Sequence, residues 1–354
     1  MKCQGWETEI IITKLPLEMF MNCIGIDVSA KELTVVVSVN GKMRKAKTLK
    51  NAPSGFKALA QIASKLKGNV KVCLEATGIY HFDLAISLSQ EKGISLMVIN
   101  PKVASNFAKV MMARSKTDGM DAEILAIYAE RMPFEEWQRP AEEVLALRAY
   151  ARRIAALNKL KTQTKNQLHA LISTAETPSL VINQVKELIQ VLEKQIEDQR
   201  NTAIELIKQH AELLNAFVLI TGIKGIAKSS AVQILAELMI LPSDMNAKQW
   251  VAHAGLDPRA FQSGASVDKK TRISKAGNKY IRQALYMPAL VAIRYEPHIK
   301  GFYDHMINDN GLSKMQALCA VMRKLLHAIH GMLKTNKNFE GQRFYQFATE
   351  VTQS

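Results

Sequence analysis

The sequence predicts an α/β domain followed by an all-α remainder. Three observations carry this. Between residue 22 and about 140, short Val- and Ile-rich runs come first and then alternate with segments of helical period. From Val144 two long helical patterns follow, parted by Pro178. Beyond residue 215 the pattern stays helical, broken by loops. The chain has 354 residues, enough for two or three domains, and 48% hydrophobic residues, which excludes a disordered chain.

In order, "NCIGIDVSAKELTVVVSV" (22–39) reads as two strands around a tight turn. Asn40-Gly41 is a hairpin turn, and "GKMRKAKTL" (41–49) a third strand. "SGFKALAQIASKL" (54–66) has helical spacing, with Ser54 as its expected cap. "VKVCLEATG" is a strand ending at Glu75, a helix follows over 80–92, and "ISLMVINP" is a buried strand stopped by Pro101. "VASNFAKVMMA" and "GMDAEILAIYAERM" are helices. Residues 144–175 form a long helix, and a second carries an apolar stripe from Val185 to Leu213. The pair is an antiparallel hairpin, a coiled coil with a second subunit, or a plain spacer. Residues 1–21 are expected to be an extension, with Met21 a candidate start.

Charge points to the partner. Lys and Arg outnumber Asp and Glu by 47 to 32, a net +15, which favours a nucleic acid. Residues 144–175 hold six cations and no acid, among them Arg148, Arg152 and Arg153. Residues 259–345 hold fifteen cations against five acids, including Arg259, Lys269, Lys270, Arg272 and Lys275. The four cysteines are far apart, without a C-x-x-C pair, which excludes a zinc ribbon and fits a reducing cytoplasm. No apolar run approaches the roughly 18–20 residues of a membrane span.

The acids suggest chemistry. Asp27 follows "IGI" in the first strand, and Glu75 closes the strand after the first helix. Asp118 and Asp121 share one side of a helix start. An RNase H-like sheet would bring these four together, and four hard carboxylates suit Mg²⁺ acting on a phosphodiester. Arg114 and Lys116, just before, are candidate phosphate contacts. Read alone, Asp118 is equally an N-cap. "GID" also begins actin-like ATPases, but "DVSAKE" lacks their phosphate-turn glycine. Farther on, "LITGIKGIAKSSAVQILAEL" resembles a helix-hairpin-helix, a phosphate-holding turn, with Gly225 present and Ala227 in place of the second glycine. A plain glycine-broken loop is the alternative. Ser263-Gly264 is expected in a polar loop among cations. Ser263, or nearly as well Ser266, is a candidate nucleophile there. His327 and His330 lack a third ligand for a metal.

As a set, "IGIDVSAKELTVVV", "CLEATGIY", "VINP", "KTDGMDA", "AGLDPR", "SG" and "SKAGNKYIRQALYMPAL" resemble the IS110/IS1111/Piv family of transposases and DNA invertases, from residue 22 to about 340. The resemblance implies a RuvC-like domain over 22–140, with Asp27, Glu75, Asp118 and Asp121 holding Mg²⁺. A basic helix and coiled-coil segment over 141–214 joins subunits. A C-terminal domain over 215–345 carries Ser263, which forms a phosphoserine link to DNA, and 346–354 is a tail. It further implies dimers assembling to a tetramer, sites shared between subunits, DNA as partner at the nucleoid, and, in the IS110 branch, a noncoding bridge RNA. The rivals are an invertase, a RuvC-like nuclease using water, and an inactive nucleic-acid-binding protein.

Overall fold

The computed structural model describes residues 22–76, 80–111, 117–263 and 267–347. Two compact units divide the chain between Arg139 and Pro140.

The first unit is a mixed sheet covered by helices. β1 (Asn22–Val28), β2 (Glu32–Val39), β3 (Lys42–Met43) and β4 (Lys47–Lys50) are followed by α1 (Pro53–Ser64) and β5 (Val70–Glu75). Then come α2 (Phe82–Ser89), β6 (Ile94–Ile99), α3 (Pro101–Val110) and α4 (Asp118–Arg131). The sheet order is β3-β2-β1-β5-β6, with β4 also on β2. β1 pairs antiparallel with β2 and parallel with β5, which pairs parallel with β6. The single third strand expected over 41–49 is two pieces. β3 pairs with the end of β2 and β4 with its start, and Arg44, Lys45 and Ala46 between them are exposed. The cap of α1 also differs: Ala52 precedes Pro53 at the first helical position, and Ser54 lies inside the helix.

Strand alternation sorts the side chains between two cores. Ile24, Ile26, Val72 and Leu74 pack with Phe56, Leu59, Leu84 and Leu88 on the α1–α2 side. Cys23, Cys73, Met97 and Ile99 pack with Ala104, Leu125 and Ala129 on the α3–α4 side. Burial pushes the Cys23 thiol up to about 11 and the Cys73 thiol to about 12.

β1 and α4 meet at Gly25. A Cβ there would stand 1.9 Å from the Ala122 carbonyl oxygen and 2.3 Å from the Ala126 nitrogen. Helix backbone therefore rests directly on strand backbone. The glycine and two alanines are what allow this approach.

The second unit is mainly helical. α5 (Glu142–Ile172) and α6 (Ser179–Gln209) form an antiparallel hairpin, with Ile154 and Leu157 against Leu192 and Ile196. Pro178 is the N-cap of α6 and is not what breaks the first helix, which already ends at Ile172 with Ser173 as its C-cap. The second helix does not run on to Leu213. His210 is extended and ends it, and α7 (Ala211–Thr221) begins. α8 (Lys228–Leu238) and α9 (Ala247–Ala254) follow, then a hairpin of β7 (Pro258–Ser263) and β8 (Val267–Ile273). α10 (Lys279–Tyr295), α11 (Pro297–Asn308), α12 (Lys314–Thr335) and α13 (Gly341–Phe344) complete it. Ser263 thus ends a strand where a polar loop was expected. The charged run "DKKTR" hides the pairing, because neither face alternates as apolar.

Gly25→Ala is expected to cost about 3 kcal/mol or more, since backbone cannot yield to the added methyl. Urea unfolding of the full chain, followed by circular dichroism, measures the loss.

Candidate active site

Asp27 has the parity of Cys23 and Gly25 on β1, so it faces α4. Glu75 has the parity of Lys71 and Cys73 on β5 and faces the same way. The last registered pair of these parallel strands is Ile26 with Leu74, which leaves Asp27 and Glu75 one step beyond it. α4 runs back along β1. Ala122 and Ala126 sit on Gly25, and Glu130 reaches the buried Ser38, whose Oγ donates to it at 3.4 Å. Its first turn, with Asp118 and Asp121, therefore lies toward the Asp27 end.

The cap of α4 corrects one alternative. Thr117, not Asp118, is the N-cap, and its Oγ1 accepts from the Met120 amide at 3.3 Å. Asp118 and Asp121 occupy the first turn, where the helix dipole favours acids. Asp118 is exposed; Asp27, Glu75 and Asp121 are half-buried. The Asp27 carboxyl is pushed up to about 6, first by burial and then by the charges of Asp118, Asp121 and Glu75. A backbone hydrogen bond at Val28 pulls the other way. These acids are close enough to repel one another. Among the described residues no three His, Cys, Asp or Glu side chains are gathered tightly enough to hold a metal ion. The donor set nonetheless has the chemistry of a Mg²⁺ site, hard oxygens whose mutual repulsion a cation would relieve.

In the second unit, Ser263 is the last residue of β7 and the register partner of Val267 on β8. Arg259 stands opposite Arg272, and Lys269 opposite Phe261. Like charges directly across a strand pair disfavour it, so this hairpin holds its cations at a cost. Lys270 lies on β8, and Lys275 follows it with φ +53°, its amide donating to the Gly255 carbonyl at 3.0 Å. Gly225, φ +106°, presses on α10. A Cβ there would meet the Ala292 nitrogen at 2.6 Å, so close packing explains this glycine without a phosphate.

Arg148 and Arg152 pair with the buried Glu237 while their side chains stay 27% and 36% exposed. Arg152 donates Nε and Nη2 to Glu237 at 2.8 and 3.2 Å, and Arg148 Nε stands 3.4 Å from it. Glu237 is 1% exposed. Arg153 remains on the surface, donating to Gln195 at 3.4 Å. Arg114, Lys116, Gly264 and Ser266 lie outside the described residues. Sequence reasoning passed over Glu237; the one signal for it is an acid within the apolar run "AVQILAELMI".

Residues 24–176 match the family model for IS110 DEDD transposases, and residues 218–304 match transposases of the IS116/IS110/IS902 family. The chain belongs to the IS110 family of transposases. It is a DNA recombinase or transposase enzyme. The first IS110 match spans nearly all of the sheet unit and the whole of α5, and the second runs from within α7 to within α11. The pilin gene-inverting proteins of Moraxella bovis and Moraxella lacunata are each 29% identical over 324 residues, 90% of this chain and 97% of theirs. A putative transposase, y4rJ, of Sinorhizobium fredii (strain NBRC 101917 / NGR234) is 32% identical over 127 residues, 35% of this chain and 32% of its own. No helix among the described residues of this transposase is long and apolar enough to cross a membrane.

Because folding raises the Asp27 pKa, ionisation works against the fold. The stability its neutral form confers is fully present below 3.8 and is lost as pH rises through about 6. At pH 7 without divalent cation, Asp27→Asn should therefore melt above wild type, by on the order of a few degrees. Mg²⁺ should raise the wild-type Tm and leave the variant unchanged. Calorimetry with and without Mg²⁺ reads both effects, and a variant melting below wild type without the cation contradicts them.

Proposed function

We propose that this transposase cuts and rejoins DNA by Mg²⁺-dependent transesterification, with Asp27, Glu75, Asp118 and Asp121 as metal-holding residues and Ser263 as nucleophile. The observation that supports this is the placement of Asp27 and Glu75 at the same end of β1 and β5, facing the helix whose first turn carries Asp118 and Asp121. The sheet order supports an RNase H-like, RuvC-like fold for residues 22–140, with an antiparallel edge, a central β1 and parallel β5 and β6. On this reading residues 215–345 form the serine-bearing domain, and the α5–α6 hairpin is the coiled-coil segment joining subunits into dimers and tetramers.

Mg²⁺ held by the four carboxylates would supply neutralisation of the charge that builds on the phosphate. The Ser263 Oγ–P bond forms as one P–O bond of the DNA strand breaks. The serine's proton leaves to solvent, and the released DNA oxygen takes one up. Attack by a DNA hydroxyl on the phosphoserine reverses this and rejoins. The number of phosphoester bonds is conserved, so joining needs no nucleotide cofactor. Arg259, Lys269, Lys270, Arg272 and Lys275 flank Ser263 in sequence and would hold the backbone phosphates, with Arg114 and Lys116 doing so beside the acids. A noncoding bridge RNA, pairing with donor and target DNA, belongs to the same reading.

Inversion is the second reading. It is favoured by the near full-length match to proteins named for inverting a pilin gene. Recombination assays on substrates carrying element ends, and on a segment flanked by inverted sites, with and without co-purified RNA, separate the two.

Ser263→Ala should abolish the covalent protein–DNA adduct seen on denaturing gels, with folding unchanged. Wild-type recombination by this variant would eliminate the serine. Asp121→Ala should lower strand cleavage by at least about a hundredfold. Glu123→Ala, two positions along the helix and off the shared face, should cleave at the wild-type rate.

A further inference from the structure

We infer that Glu237, acting through Asn278, is a positioning residue that fixes the root of the β7–β8 hairpin. The inference rests on the reading of Ser263 given above. Glu237 is buried on α8 and takes donors from two directions. Arg152 of α5 supplies Nε and Nη2, and Asn278 Nδ2 donates at 2.7 Å. The Arg152 guanidinium also lies 4.8 Å from the centre of the Tyr280 ring. Burying this much charge yields little stability compared with well-packed apolar residues, so its use lies in the geometry it imposes.

Asn278 is where that geometry meets the hairpin. Its amide donates to the His253 carbonyl at 2.7 Å, and its Oδ1 accepts from Tyr280 at 2.9 Å and starts α10. The two chains leaving the hairpin press together just there. A Cβ on Gly277 would stand 2.2 Å from the His253 oxygen, and one on Gly255 2.5 Å from the Ala276 oxygen. Ser274 donates its amide to the Asp257 carbonyl at 2.9 Å and its hydroxyl to the Asp257 side chain. The root is thus a rigid backbone clamp, and the Glu237–Asn278 bond ties it to α8 and, through Arg152, to α5. Ser263 sits at the far end of β7, so a small tilt at the root is carried to it along the strand. Misplacing a reacting atom by about 1 Å can cost on the order of a hundredfold in rate.

The test uses the full chain and compares Asn278→Ala, Asn278→Ser and Glu237→Gln with wild type. Asn278→Ala breaks the tie while Glu237 keeps Arg152. Asn278→Ser keeps a capping oxygen but cannot reach Glu237. In all three, amides of residues 272–278 should exchange hydrogen at least tenfold faster while those of the first unit do not change. DNA affinity should stay within twofold, and the rate of adduct formation at saturating DNA should fall at least tenfold. The double variant Glu237→Gln/Asn278→Ala should be no slower than the slower single. Unchanged exchange in folded Asn278→Ala overturns the inference, as does a wild-type rate in Asn278→Ser, which would leave only a cap. If Glu237→Gln does not fold, the two Asn278 variants decide alone. Adducts formed by Ser263→Ala would instead overturn the serine reading, and the exchange data would still decide the tie.

Discussion

The contact of Gly25 with Ala122 and Ala126 is the constraint on which the first unit depends. Helices on sheets usually stand off by the length of their side chains; here two backbones touch. That fixes where α4 lies along β1, and so which residues of its first turn come near the strand's end. Asp27, Glu75, Asp118 and Asp121 lie far apart in sequence, and the alternation of β1 and β5 turns two of them toward the helix that carries the others. Burial of Asp27 and then repulsion among these acids are the cost of the arrangement, and both raise the Asp27 pKa. The apolar core on either side of the sheet offsets it.

The second unit solves a different problem. It carries most of the excess positive charge and still folds into one helical core around Leu235, Leu285, Val321 and Leu325. Two of its arginines, both half-exposed, pair with the buried Glu237. Others stay on the hairpin, opposed to one another across the strands. Basic residues that look alike in sequence are therefore placed differently by the fold, some against a buried acid and some along a strand pair.

The sheet was legible because it obeys local rules. Val-rich runs alternate with helical spacing, Asn40-Gly41 takes two positive φ values, and Pro178 starts a helix. What was hidden depended on partners distant in the chain. Arg152 lies 85 residues from Glu237, and no local pattern in α5 announces an internal acid. Ser54 and Asp118 had the chemistry of caps, but Ala52 and Thr117 held the cap positions by one or two residues. The hairpin around Ser263 escaped notice because its strands are polar and pair chiefly with each other. Residue physics left Ser266 nearly equal to Ser263, and the family resemblance alone separates them.

Cys23 and Cys73 lie under α4, fully buried, on the same face of the sheet as the acids. Alkylating reagents attack thiolates, and burial keeps both of these groups protonated far above neutral pH. They are therefore silent while this core is closed and react only from states in which it is open. The chain carries a built-in chemical clock beneath its acids. Where alkylation outpaces reclosing, the rate at which these two sulfurs are trapped reports how often this part of the core opens.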